Sequence, residues 1–395
     1  MISNLGELFI PTAVLIVVGT VVLCRHVSFS LAVMVMCFKA LLPVTYFLGL
    51  WGEPWTLQDD LLYYEVGLDL SATGYSPWQL IFDNDASRLL ERHANSRHTL
   101  YYAWNSFAQM LFGPHYHSAV FANLIANCVT VSLVGYVLRL SGVTKQYCQC
   151  LVLFLCLHWD YASWISFVNL KESLVELLIW IVVSGAVSLM RKRSVAALAM
   201  IVIPCLTLMS IRGYVPVLLF GAFVAWQFSC GKHRYRTWML LGSIIALIVA
   251  GGAVYRYGSH MVNVQGLATG TFRFFLTPKP WNVDEEYSFL LLASSLHWLA
   301  VVPAIYGARL MWKSSPEARL ILLMAALFVA FYAVFPSHQG PRHRVQITAC
   351  IAIAQFNGFW HLARQIRYGM VTRTTNSRHV SCDHSKPGAA PVAGL

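Results

Sequence analysis

Apolar runs of about 18 or more residues recur along this chain from one end to the other, each long enough to cross a hydrocarbon core of roughly 30 Å as a helix. Inside lipid a backbone amide must find its partner within the protein, so only helices or a closed barrel can span. No run shows the weak alternating period of an outer-membrane barrel, which leaves helices. Composition points the same way. Charged residues make up 11% of the chain, against about 25% in an ordinary soluble domain, too few to cover a soluble globule. The expected fold is therefore an all-α integral membrane protein with about eleven transmembrane helices. They are expected near 8–24, 29–50, 118–138, 147–165, 170–189, 195–211, 213–230, 237–255, 288–308, 318–335 and 345–363.

The net charge of +11 does not mark a nucleic-acid surface, because the basic residues sit in short clusters between apolar runs. The ten cysteines lie mostly within those runs. Only Cys148 and Cys150 are close, and that spacing fits no zinc or redox motif, so they read as buried inert thiols. The first run, Phe9 to Cys24, lacks a basic stretch before it and a small-residue cleavage site after it. It reads as a span rather than a signal peptide.

Orientation follows from the distribution of lysine and arginine. One set of connections holds Arg25, Arg139, Lys145, Arg191, Lys192, Arg193, Lys232, Arg234, Arg236, Arg309, Lys313 and Arg319, together with the basic tail after Arg364. The positive-inside rule makes that side cytoplasmic, with the N-terminus out and the C-terminus in. No internal repeat is visible, which argues against transporter folds built from duplicated halves. The simplest division is one membrane domain over 1–365 and a disordered cytoplasmic tail over 366–395. Its outward loops would be 51–117, 256–287 and 336–344.

The long first loop carries Glu53, Asp59, Asp60, Glu65, Asp69, Asp83, Asp85 and Glu91 against Arg88, Arg92 and Arg97, and so reverses the charge of the whole chain. Leu61, Leu62, Tyr64, Glu65 and Leu68 separate apolar from polar residues at helical spacing, as in a helix lying along the membrane surface.

Four constellations could carry chemistry on that side. Asp59-Asp60, followed by Tyr63-Tyr64, offers a general base, or two oxygens for a divalent cation; otherwise it is an acidic loop with Asp59 capping a helix. Asn169-Leu170-Lys171-Glu172 opens a span with a Lys–acid pair, or forms an ordinary capping box from Asn169 to Glu172. Glu176 lies one turn deeper, where a carboxylate needs a partner or a polar cavity. Arg212, between two spans, is either an interfacial anchor or a fork for a phosphate. Arg342-His343-Arg344 runs against the positive-inside bias. Lys39, mid-span, and the pair His158 and Asp160 have no motif around them. Acids for proton transfer and cations for phosphate on one face suit an anionic substrate.

These residues resemble the GT-C superfamily of polytopic glycosyltransferases, which use polyprenyl-phosphate-linked sugars outside the cytoplasmic membrane. Asp59 and Asp60 match the acidic residue or pair early in the first large outward loop. Thr99-Leu100-Tyr101-Tyr102 through Phe112-Gly113 and Asn123 looks like the amphipathic helix, Phe-Gly turn and Asn-bearing span that follow in many bacterial members. Asn169-Leu170-Lys171-Glu172 looks like the Lys–acid motif of envelope-polysaccharide relatives, and Thr277-Pro278-Lys279-Pro280-Trp281 like their Pro-x-Pro-Trp stretch.

The resemblance implies a bacterial inner-membrane transferase in cell-envelope glycan synthesis, moving a sugar from a polyprenyl-phosphate donor to an acceptor hydroxyl on a glycan, lipid or protein. Asp59 or Asp60 would be the base, and Lys171, Arg212, Arg342 and Arg344 would hold the donor phosphate. Glu172, His343, Tyr63 and Tyr64 would support them. A divalent cation at the Asp pair is allowed but not required. Two other readings remain: an oligosaccharide-repeat polymerase or ligase with a lipid-pyrophosphate donor, and a transporter or flippase of lipid-linked sugar.

The orientation can be checked directly. Ser71→Cys and Ser337→Cys should react with an impermeant thiol reagent in intact cells, and Ser194→Cys should not; labelling at Ser194 instead would invert the arrangement.

Overall fold

The computed structural model describes residues 2–50, 52, 57–94, 98–191, 194–230, 263–283, 285–335 and 341–382, with side chains in the last helix up to Arg367. Among these residues the chain is all-helical and has no strand, only two isolated bridges. Six helices are long and apolar enough to cross a membrane, seven if one bent pair counts as a single span. The chain is thus a multi-pass helical membrane protein, and the expected eleven spans are not all present as such.

The six are α1 (Leu5–Leu23), α2 (Phe29–Phe47), α7 (Tyr116–Leu140), α9 (Lys171–Arg191), α10 (Val195–Arg212) and α15 (Pro316–Val334). Between α2 and α7 lie four helices of the long loop: α3 (Gln58–Ala72), α4 (Pro77–Phe82), α5 (Asn84–Ala94) and α6 (Thr99–Phe112). Further along come α8 (Lys145–Cys156), α11 (Tyr214–Ser229), α12 (Leu267–Leu276), α13 (Leu291–Leu299), α14 (Val301–Ser314), α16 (Pro341–Arg344) and α17 (Thr348–Cys382).

The departures from the expected spans have identifiable causes. The run 147–165 is not one helix: α8 ends at Cys156, and Tyr161–Ile165 forms a π-helical turn. Buried His158 and Asp160 fall at that break, where partners on other helices hold them. Helix α11 has 16 residues and is short for a crossing. The run 288–308 is broken at Ala300, with α14 bent by 51° from the segment Tyr287–Leu299. The last helix is not among the six, because Gln355, Asn357 and His361 interrupt its apolar run. It continues to Cys382, past the expected boundary at 365, with no proline between Pro341 and Pro387 to stop it. The expected span 237–255 lies outside the described residues, as do 383–395 and part of each outward loop.

Helices α7 and α9 form the buried centre, while α1 and α10 expose most of their surface. Helix α6 packs on α3, and Gly113 follows it at φ +95, the left-handed side that glycine adopts without strain. Helices α14 and α17 cross at their glycines: a Cβ on Gly307 would stand 1.9 Å from Ala354 O, and one on Gly358 would stand 2.0 Å from Pro303 O. Asn357 Nδ2 donates to Gly307 O at 3.0 Å across the same crossing.

Both glycines meet backbone, which cannot swing aside, so Gly307→Ala must force the helices apart. Overpacking of this kind costs about 1–3 kcal/mol, and the variant should unfold at lower temperature in detergent. Gly221→Ala is the control, since its Cβ would meet only Leu327 Cδ1 at 3.4 Å. Equal melting temperatures for the two variants would remove the close-crossing argument.

Candidate functional site

The first acidic pair of the chain is split by the helix that carries it. Asp59 and Asp60 lie in the first turn of α3, and adjacent helical residues point about 100° apart. Asp60 is fully buried and accepts from Tyr116 Oη at 2.5 Å. Asp59 keeps 48% of its side chain exposed and accepts from Arg342 Nη2 at 2.8 Å. The expected cap role of Asp59 is not used, because the N-cap is Leu57.

Around Asp60 the sequence supplies a network that charge-based reading missed. Tyr116 Oη accepts from the Asn169 backbone N–H at 3.2 Å, and the Asn169 amide donates to Asn105 Oδ1 at 2.6 Å. Tyr101 donates to Asn169 Oδ1 at 2.6 Å and accepts from Asn123 Nδ2 at 3.1 Å. The Asn169–Glu172 capping box does not form, because Asn169 is occupied here and Glu172 turns elsewhere. The available signal was neutral: Asn105 and Gln109 stand within the apolar pattern of α6, and both are buried.

Glu172, buried at the start of α9, accepts from Arg212 Nη2 at 2.6 Å, and His343 Nδ1 lies 3.7 Å away. The His343 ring stacks on Tyr332 with centroids 5.3 Å apart, and Tyr332 donates to Gln346 Oε1 at 2.9 Å. Lys171 donates to Tyr63 Oη and sits 4.7 Å from the centre of that ring. Burial pushes the Tyr63 hydroxyl well above its usual value, so it stays protonated. Burial, then the Lys171 charge, pushes His98 down to about 4; the neutral ring donates from Nδ1 to Ile211 O at 2.7 Å. Tyr64, half-buried, donates to Pro114 O at 3.3 Å.

Arg344 stands apart from this group. It is buried, donating to Asp160 Oδ1 at 3.2 Å and to the carbonyls of Phe275 and Thr277 at 3.0 and 2.9 Å. The three neighbours Arg342, His343 and Arg344 therefore enter three environments: an open ion pair, a buried stack and a buried clamp. Deep in the bundle Lys39 donates to Asn127 Oδ1 at 2.7 Å, and Glu176 accepts from Tyr161 Oη at 2.8 Å and Ala349 N–H at 2.9 Å.

The structure brings together Asp59, Tyr63, Lys171, Glu172, Arg212, Arg342 and His343, and gives Asp60 and Arg344 buried partners of their own. Asp59 and Asp60 turn to different partners, Arg342 and Tyr116. Among the described residues no group of three or more His, Cys, Asp or Glu gathers as metal ligands. Comparison with known proteins found no matching family, no matching curated protein and no matching solved structure.

Asp60 supplies a pH test. Burial raises its carboxyl to about 6 from 3.8, against the opposing hydrogen bond from Tyr116. The protonated form is thus favoured in the fold, so this contribution is complete below about pH 4 and is lost as pH rises through 6. The difference corresponds to about 3 kcal/mol as an order of magnitude. Asp60→Asn keeps the acceptor for Tyr116 and should flatten the fall in melting temperature between pH 4.5 and 7.5. An unchanged slope would show that Asp60 does not titrate there.

Proposed function

We propose that this chain is a membrane glycosyltransferase of GT-C type, acting at the outer face of a bacterial cytoplasmic membrane on a polyprenyl-phosphate-linked donor. The observation that carries the reading is the half-exposed Asp59–Arg342 pair, which opens onto buried Lys171, Glu172, Arg212 and His343 at the ends of apolar helices. A reachable carboxylate beside reachable and buried cations suits an acceptor hydroxyl meeting an anionic leaving group.

Asp59, rather than Asp60, is the base in this reading, because its carboxylate is accessible while that of Asp60 is enclosed. It takes the proton of the acceptor hydroxyl as that oxygen bonds to the anomeric carbon. The bond from the anomeric carbon to the phosphate oxygen breaks, and the phosphate leaves with the electron pair. Arg342 then turns its remaining N–H groups to the phosphate, with Lys171 behind it. Such prearranged charge usually contributes more to rate than the base does. Arg212 acts through Glu172, holding that carboxylate so that Lys171 and His343 keep their places.

The test is glycosyl transfer from a polyprenyl-phosphate sugar by purified protein in detergent. Asp59→Asn should lower turnover about 10²–10⁴-fold, and Arg342→Lys should impair it despite keeping the charge, since an ammonium cannot form the planar fork. Full transfer by Asp59→Asn would favour the polymerase or ligase, which shares the cations without needing the carboxylate. Movement of intact lipid-linked sugar between leaflets in proteoliposomes of the same protein, without transfer, would mean a flippase.

A further inference from the structure

Beside Phe275, whose carbonyl accepts from Arg344, helices α12, α13, α14, α15 and α17 line a cavity of about 360 Å³, within the ~300–1,000 Å³ range of ligand sites. Its walls are apolar, including Phe275, Leu276, Leu322 and Ile351. Phe272 and Ile305, also part of the lining, are each 68% exposed and continue into the outer surface of apolar helices. The mouth thus opens onto the surface that lipid covers.

Besides Thr271, whose hydroxyl donates to Leu267 O at 2.8 Å, two polar side chains interrupt this lining, His297 and Gln355, both almost fully buried. The His297 Nδ1 stands 3.5 Å from Asp160 Oδ2. The amide orientation of Gln355 follows from its neighbour. The Asp160 backbone N–H donates to His158 Nδ1 at 3.2 Å, so His158 carries its proton on Nε2. That Nε2–H donates to Gln355 Oε1 at 2.9 Å. Among the described residues the Gln355 Nε2 is left as a buried donor with no acceptor, and leaving such a group unsatisfied costs about 1–3 kcal/mol.

We propose that this cavity binds an uncharged single-chain amphiphile from the bilayer, its chain along the apolar wall and its oxygen accepting from Gln355 Nε2. A phosphate is a poor fit, because the adjacent cation, Arg344, is already bonded to Asp160 and to backbone carbonyls. The occupant is therefore not the anionic donor, and the proposal does not depend on the transferase reading.

The probe is a long-chain alcohol carrying a chain-end diazirine, photolysed with the purified protein in nanodiscs and mapped by peptide mass spectrometry. Saturable labelling should concentrate on α12, α14 and α17. Ala304→Trp, which fills the cavity while leaving Gln355 itself in the chain, should reduce it about tenfold. Competition by the unlabelled alcohol should weaken about five- to tenfold in Gln355→Leu, while competition by the matching alkane should not change. Three results would overturn the proposal: labelling spread evenly over exposed helices, equal competition by the alkyl phosphate, or insensitivity to Ala304→Trp.

Discussion

The candidate site depends on a carboxylate buried at the edge of the membrane domain. Glu172 lies in the first turn of α9, and Arg212 from the end of α10 satisfies it at 2.6 Å with both side chains almost out of solvent. Removing one partner of such a pair typically costs about 3–5 kcal/mol, since the survivor is left as an uncompensated charge. The pair therefore fixes where α9 and α10 meet. Its neighbours inherit that position: Lys171 reaches Tyr63 on α3, and His343 on α16 stands beside the same carboxylate. The open Asp59–Arg342 pair spans the two elements, α3 and α16, that Glu172 and Lys171 help to hold in place.

Burial then divides like residues into unlike roles. Asp60 and Asp59 differ by one position, yet one is enclosed by Tyr116 and the other faces Arg342. The same division separates Arg344, clamped by Asp160 and carbonyls, from Arg342, which retains 28% of its side-chain exposure. Arg344 ties α16 to α12 and to the break after α8. Phe275, whose carbonyl it holds, also lines the apolar cavity.

Much of this organisation is legible in the linear chain. Asp59, Lys171, Glu172, Arg212 and Arg342 can be singled out because charge is rare here and because it recurs at the ends of apolar runs. The helix α3 follows from spacing, whereas α6 and the turn at Gly113 are expected only through the resemblance. Other parts are not legible. Tyr116, Asn105 and Tyr332 read as ordinary members of helices, since a hydroxyl or amide matters only when something faces it. The interruption of the run 147–165 is hidden for the same reason, because His158 and Asp160 find partners on α17, α13 and α16.

The sequence by itself determined that the chain is helical and multi-pass, and that its unusual charges lie near helix ends. Those are properties summed along the chain, because lipid requires every backbone group to be satisfied locally and tolerates few charges within a span. Which charge is reachable, which is locked and which polar group lacks a partner were decided only by tertiary structure. Asp59 and Arg342 are 283 residues apart in sequence and 2.8 Å apart in space. Coulomb attraction and burial act on the second distance, and no local pattern encodes it.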